Sequence, residues 1–151
     1  MFLIAAYGAV LSTINWRKSN QKARRRMNIA LSTMMPASPD ALGRCFVKLE
    51  ATNIGHRPVN VTTLALELAN GKRLFPTLFS GVPWVEDTRL PAVLSDGESA
   101  FFVMAYSDVG KSLLTNGLDE KVNIIPICVD STGGVHRGKP WNVDPYEFSR
   151  M

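Results

Sequence analysis

The segment Arg44–Gly71 reads RCFVKLEATNIGHRPVNVTTLALELANG and decides the fold. Between Cys45 and Thr52 the odd positions are apolar and most even positions are polar or charged, which is the period of a half-buried β-strand. The second half alternates in the same way, but the phase changes at Thr62-Thr63, and this predicts a β-bulge there. The segment therefore predicts two long strands in one stretch of chain.

A tight corner joins these two strands. Gly55 can adopt positive φ, and Pro58 fixes φ at the entry to the second strand. Downstream, Asn70-Gly71 predicts a hairpin turn into a strand over residues 72–79. Because each strand has one apolar face, the pair must pack against other strands, and this favours a β-sandwich.

The flanking sequence supplies the other strands. Met27–Met34 alternates and predicts a first strand, and Ala100–Tyr106 is apolar on both faces, which predicts an interior strand. Ser107 or Asp108 can begin one short helix near residues 108–115. We predict an all-β fold: a seven-stranded antiparallel β-sandwich over residues 27–151, with a C-terminal tail whose aromatic side chains pack on it.

Charge is concentrated at the N-terminus. Residues 1–26 hold six basic residues and no acidic one, whereas the rest of the chain holds eleven basic and thirteen acidic residues. The β domain is therefore slightly acidic, and the pattern does not indicate nucleic-acid binding. The two cysteines, Cys45 and Cys128, are too few for a disulfide framework, and both a buried-thiol role and a bridge between sheets remain open.

Residues 1–26 form a predicted apolar helix with a basic flank. Residues 1–16 carry no charge, and at about 1.5 Å per residue such a helix falls short of a bilayer core of about 30 Å. We expect it to span or lie on a membrane, with the β domain in the cytoplasm by the positive-inside tendency; packing on protein is the alternative. The predicted membrane flank consists of Trp16, Arg17, Lys18, Arg24, Arg25 and Arg26.

Three turn-rich motifs carry a resemblance to known proteins. They are the corner Thr52–Val61, the segment Leu90–Ser99 with its Asp-Gly turn, and Val129–Gly133. In these the chain resembles a loose class of uncharacterised bacterial proteins that couple an N-terminal apolar helix to a small immunoglobulin-like or fibronectin-like domain. The resemblance implies an immunoglobulin-like fold and a bacterial or phage origin, and it implies no catalytic residues.

Two patterns could indicate catalysis or nucleotide binding. Ala105–Ser112 fits a relaxed phosphate-binding loop, but the chain has no room for the helices of a parallel sheet around it. Asp130, Ser131 and His136 are close in sequence, yet they belong to an ordinary turn. We therefore predict no catalytic residue, no cofactor and no metal site.

Exposed loop residues are the candidates for contact with a partner. They are Trp84, which follows Pro83, and the corner pair His56 and Arg57. We predict a non-enzymatic, membrane-associated protein that binds an unknown protein partner through an edge strand or through loops such as Ser80–Arg89. The alternative is a soluble structural or virion-associated subunit whose N-terminal helix docks on a neighbour, and a nucleotide-binding protein is a distant third.

Overall fold

The computed structural model describes residues 12–13, 25–35, 44–76 and 85–151. Most of the predicted N-terminal helix, including Trp16, Arg17, Lys18 and Arg24, lies outside the described residues, and so does Trp84. The predicted anchor and the loop contact at Trp84 therefore stay predictions.

The described residues form mainly β-structure with antiparallel sheets and two short helices. The strands are β1 (Met27–Met34), β2 (Phe46–Asn53), β3 (Val59–Glu67), β4 (Arg73–Leu74), β5 (Ala92–Leu94), β6 (Ser99–Ala105), β7 (Val122–Asp130), β8 (Val135–Arg137) and β9 (Trp141–Val143). The helices are α1 (Tyr106–Thr115) and α2 (Pro145–Arg150).

Two sheets share the strands. One has three strands in the order β1-β2-β6. The other is built on the long pair β3 and β7, with β4 and β5 on the outer side of β3 and β8 and β9 on the outer side of β7. Every pairing is antiparallel. Side chains from both sheets meet in one apolar core, among them Leu49, Val61, Leu64 and Ile124.

Several local predictions are confirmed. β1 has the predicted bounds, and the register between β3 and β7 shifts between Val61 and Thr63, where the bulge was expected. Gly71 adopts a φ of 78° in the turn before β4. The predicted short helix is present as α1, two residues longer at its start.

Two predictions about strands need correction. β6 is an edge strand of its sheet rather than an interior one, because the segment after residue 84, and not another strand, covers its outer side. The described residues also form nine strands rather than seven, since β5 and β9 have three residues each and are too short to show alternation. β9 and α2 lie in the predicted tail, where Trp141 packs against Tyr106 and Phe148.

The two helices pack closely at one end of the molecule. A Cβ atom at Gly110 of α1 would lie 2.4 Å from the backbone nitrogen of Ser149 in α2, so only glycine permits this approach. The Asp144 side chain caps α2 by accepting hydrogen bonds from the backbone of Tyr146 and Glu147. This end holds Trp141 in place beside β1.

Candidate interaction site at the β1 edge

The hydrogen-bond phase of the three-stranded sheet shows which backbone groups face outward. Ile54 donates its N–H to the carbonyl of Arg26 at 2.9 Å, one residue beyond the β1–β2 register. Hydrogen-bonded pairs alternate in an antiparallel ladder, so the even residues of β1 bond to β2. The odd residues therefore direct their N–H and C=O groups away from the sheet.

The opposite edge of this sheet, at β6, is covered. Thr88 donates its N–H to the carbonyl of Phe101, and its hydroxyl accepts from the N–H of Phe101, both at 3.0 Å. Asp87 accepts from the N–H of Val103 at 2.9 Å. Burial raises the pKa of the Asp87 carboxyl although this hydrogen bond lowers it. Side chains and one backbone group thus replace a neighbouring strand.

The β1 edge has different chemistry. Its eight residues include no charged residue and no proline, which are the usual means of blocking an edge strand. Among the described residues β1 pairs with one strand, β2. Asn28, Ala30 and Ser32 are exposed on its solvent face. A long, uncharged edge of this kind is a template for another strand.

Within the described ranges, the first half of this edge is covered. A Cβ atom at Gly138 would lie 2.2 Å from the outward carbonyl oxygen of Ile29, so the chain between β8 and β9 meets β1 there. Gly138 permits this approach because it has no side chain, and its N–H donates to the carbonyl of Pro126 as β8 leaves the sheet. Among the described residues, the half of the edge from Leu31 onward, which includes Thr33, has no neighbouring strand; we call it the accessible half.

A groove lies beside the first half of the edge and reaches the accessible half at Leu31. It has a volume of about 330 Å³ and is lined by residues 28–31 of β1 and by Lys139, Pro140 and Trp141. The Trp141 ring is held edge-on by Tyr106 and Phe148, with ring centroids 6.2 Å from each. Tyr106 also shares a 2.6 Å hydrogen bond with the hydroxyl of Thr33. The groove wall is thus fixed to β1 itself.

A second cavity lies between the end of β6, the second sheet and α1. Its volume is about 390 Å³, and its apolar floor includes Leu66, Val103 and Val109. Asp108, Lys111 and Ser112 line its rim. These belong to the stretch that fits the relaxed phosphate-loop pattern, and from Tyr106 onward that stretch is helical rather than a loop between strand and helix.

Asp130 centres a polar cluster at the β7–β8 turn. It is 4% exposed and accepts hydrogen bonds from the backbone of Thr132 and Gly134, from the Thr132 hydroxyl, and from Nε2 of His136 at 3.0 Å. Burial alone would raise the pKa of Asp130, but these hydrogen bonds outweigh it and hold the pKa well below its usual range. The cluster fixes the turn, and Ser131 is directed to solvent beside it rather than bonded to His136.

Arg25 belongs to the predicted membrane flank and contacts this cluster. Its guanidinium donates to the Thr132 hydroxyl at 2.7 Å and lies 3.9 Å from the Asp130 carboxylate. Arg26 is exposed next to β1. The basic flank therefore ends against the β domain, directly before the candidate edge.

The predicted contact residues of the corner lie away from the groove. His56 and Arg57 are exposed, and Nδ1 of His56 is 2.6 Å from the Asp96 carboxylate. Met27 at the start of β1 pairs with Asn53, so the corner lies beyond the end of β1 that is opposite to Thr33. The sequence predicts contact through an edge strand or loops without singling out β1, although the lack of charge in β1 is visible in the sequence.

The two thiols are free in this structure. Cys128 is buried in β7, and burial, with the nearby Asp130 carboxylate, raises the pKa of its thiol to about 12. Cys45 is partly buried just before β2. Within residues 25–35, 44–76 and 85–151 there is no group of three or more side chains placed to hold a metal ion. In the same part of the chain no helix is long and apolar enough to cross a membrane.

Comparison with known proteins adds little to this geometry. No protein-family model matches the chain, and no curated protein is similar to it. Among solved structures, the X-ray structure of the Northeast Structural Genomics Consortium target SoR45 is 11% identical. That alignment covers 78% of this chain and 86% of the other, with a TM-score of 0.25. A likeness this remote carries no argument.

Proposed function

We propose that this protein is a non-enzymatic, membrane-associated interaction protein whose β domain binds an extended segment of a partner protein along β1. The observation that carries the proposal is the contrast between the two edges of the three-stranded sheet. Outward groups of β6 are bonded by Asp87 and Thr88, whereas β1 is long and uncharged and, among the described residues, has no strand on its outer side from Leu31 onward. Strand addition to such an edge is a recurrent mode of peptide recognition.

The accessible edge is long enough for a specific contact. Leu31 and Thr33 each present one N–H and one C=O, so a strand opposite them forms four backbone hydrogen bonds. Each contributes about 1 kcal/mol net when it replaces bonds to water. Met34 is half-buried and Met35 is exposed at the end of the strand, and together they offer apolar area next to this ladder.

The fold that we propose for this function is an immunoglobulin-like sandwich. Two antiparallel sheets that share one core support it. An experimentally determined structure would test the assignment, because an immunoglobulin-like domain requires Greek-key connections between two face-to-face sheets.

Membrane association rests on residues 1–26. The uncharged run followed by six basic residues would bring the β1 edge close to the cytoplasmic face of the membrane, since Arg26 directly precedes β1. Sodium carbonate extraction of membranes tests this: the full chain is expected in the pellet, and a variant lacking residues 1–16 in the supernatant. A full-length chain that remains soluble as an oligomer of fixed size would instead favour the structural subunit.

A pair of variants tests binding at the edge. Thr33→Pro removes an N–H that points outward, and proline is tolerated at such a position of an edge strand. Thr33→Val keeps this N–H and, like Thr33→Pro, lacks the threonine hydroxyl. A photo-cross-linking residue at Met35 in the full chain, in its own cells, is expected to capture one discrete partner. That product should persist in Thr33→Val and disappear in Thr33→Pro.

The matched position for the cross-linker is Glu86, which is exposed beside the covered β6 edge. No product is expected there. Equal capture from positions 35 and 86, or capture that survives Thr33→Pro, would contradict the proposed function.

A further inference from the structure

The groove beside β1 restricts the sequence of the segment that binds there. A strand that pairs with Leu31 and Thr33 cannot continue past Ile29, because Gly138 already occupies the edge at that residue. Its terminal residues must therefore leave the ladder over the groove formed with Lys139, Pro140 and Trp141. This inference rests on the proposed function and concerns the chemistry of the partner.

The groove wall offers one apolar and one cationic surface. Pro140 is exposed and Trp141 is half-buried, so an apolar side chain can cover both. Lys139 is the charged residue of the groove lining, is exposed, and has no ion-pair partner within the described part of the chain. Arg26 adds a second exposed positive charge at the start of β1.

Among the residues that the structure describes, no acidic side chain lines the groove to balance these charges. Asp130 of the β7–β8 turn is buried and already bonded to Thr132 and His136. Glu50 on the neighbouring strand is paired with Lys48 at 3.0 Å. The groove is thus complementary to a carboxylate rather than to another cation.

We propose that the partner presents an extended segment with an apolar side chain and a carboxylate two residues apart, the first packing on Trp141 and Pro140 and the second pairing with Lys139. Residues two apart in an extended strand share one face, so both can enter the groove together. A second copy of this chain paired through its own β1 does not fit, because β1 contains no acidic residue to place there. The proposed occupant is a different protein.

The test uses the full chain in detergent and two fluorescent peptides of sequence TVTVLTD and TVTVLTK. They differ only in the residue two positions after leucine. At low salt the acidic peptide is expected to bind about tenfold more tightly than the lysine peptide. The aspartate of the first is attracted to the exposed Lys139, whereas the lysine of the second is repelled by it with similar energy. The ratio should shrink at high salt.

Variants at Lys139 identify the group responsible. Lys139→Gln is expected to make the two affinities equal, and Lys139→Glu to favour the lysine peptide. Thr33→Pro should abolish binding of both peptides, and Thr33→Val should retain it.

The outcomes separate this inference from the proposed function. Equal binding of both peptides that is lost in Thr33→Pro would overturn the carboxylate preference and leave strand addition intact. Binding that survives Thr33→Pro would overturn both. Failure of the acidic peptide to bind at 1 mM, which corresponds to a binding free energy weaker than about 4 kcal/mol, would overturn the inference. A dimer of the chain that Thr33→Pro dissociates would also overturn it. In either case, cross-linking from position 35 would decide the proposed function.

Discussion

The two edge strands of the three-stranded sheet, β1 and β6, both direct backbone N–H and C=O groups away from the sheet, but these groups differ in how far they are covered. Asp87 and Thr88, in the segment before β6, accept hydrogen bonds from the outward N–H groups of β6. This segment occupies the place of a neighbouring strand. β1 meets Gly138 at Ile29, and among the described residues no strand pairs with its outer side from Leu31 onward. An exposed edge strand is a liability that proteins usually suppress, and the proposed binding surface rests on this contrast between the two edges.

The largest expected effect separates the inward and outward residues of β1. Ser32→Pro removes an N–H that bonds to β2 and should lower the free energy of unfolding by about 3 kcal/mol. Thr33→Pro removes an outward N–H and should cost less than half as much, mainly through the lost hydrogen bond to Tyr106. Urea denaturation of both variants measures the difference, and equal losses would refute the assigned hydrogen-bond phase.

The next effect concerns the closed part of the β1 edge. Gly138→Ala places a methyl group 2.2 Å from the Ile29 carbonyl oxygen and 2.8 Å from Cγ of Pro126, so the backbone must move. We expect a loss of about 2 kcal/mol from this crowding. Gly71→Ala is the comparison variant, because Gly71 has open space around it. Its replacement by alanine should lower the free energy of unfolding by only about 1 kcal/mol, which is the cost of positive φ for a residue with a Cβ atom. A Gly138→Ala variant as stable as the wild type would show that the edge is open along its whole length.

A smaller effect is expected when the β6 edge is opened. Asp87→Ala leaves the N–H of Val103 without its acceptor and should cost about 1 kcal/mol. It also exposes a second uncharged edge, so aggregation on heating should increase, as followed by light scattering. Glu86→Ala is the control, since Glu86 is exposed and its contact with Arg89 is 3.7 Å long. Aggregation equal to that of the control would mean that Asp87 does not protect the edge.

These two edges also show what the sequence could predict. Period-two alternation located β1 residue by residue and placed the bulge near Thr62, because both depend on neighbouring residues in the chain. The role of β6 was predicted wrongly, since an apolar strand covered by a loop has the same composition as one covered by a strand. The groove combines β1 with Lys139–Trp141, more than one hundred residues later, and only the register of the strands brings them together.

The smallest expected effect is a gain in the free energy of unfolding rather than a loss, and it depends on pH. Burial raises the pKa of Asp87 above its ordinary value of 3.8, so the native state binds its proton more tightly than the unfolded chain does. Stability from this group is therefore present below the ordinary value and declines as pH rises through the folded value. At pH 7 the ionised carboxylate remains partly desolvated at the edge that it covers.

Asp87→Asn keeps an oxygen acceptor for the N–H of Val103 and removes the charge. We expect the variant to exceed the wild type by about 0.5 kcal/mol at pH 7, a small value because the group is only half-buried and water screens it. The gain should vanish near pH 3, where the wild-type carboxyl is also neutral. Urea denaturation at both pH values measures it. A variant less stable at pH 7 would mean that the charged form of Asp87 is what covers β6, and that the two edges of the sheet differ in electrostatics as well as in exposure.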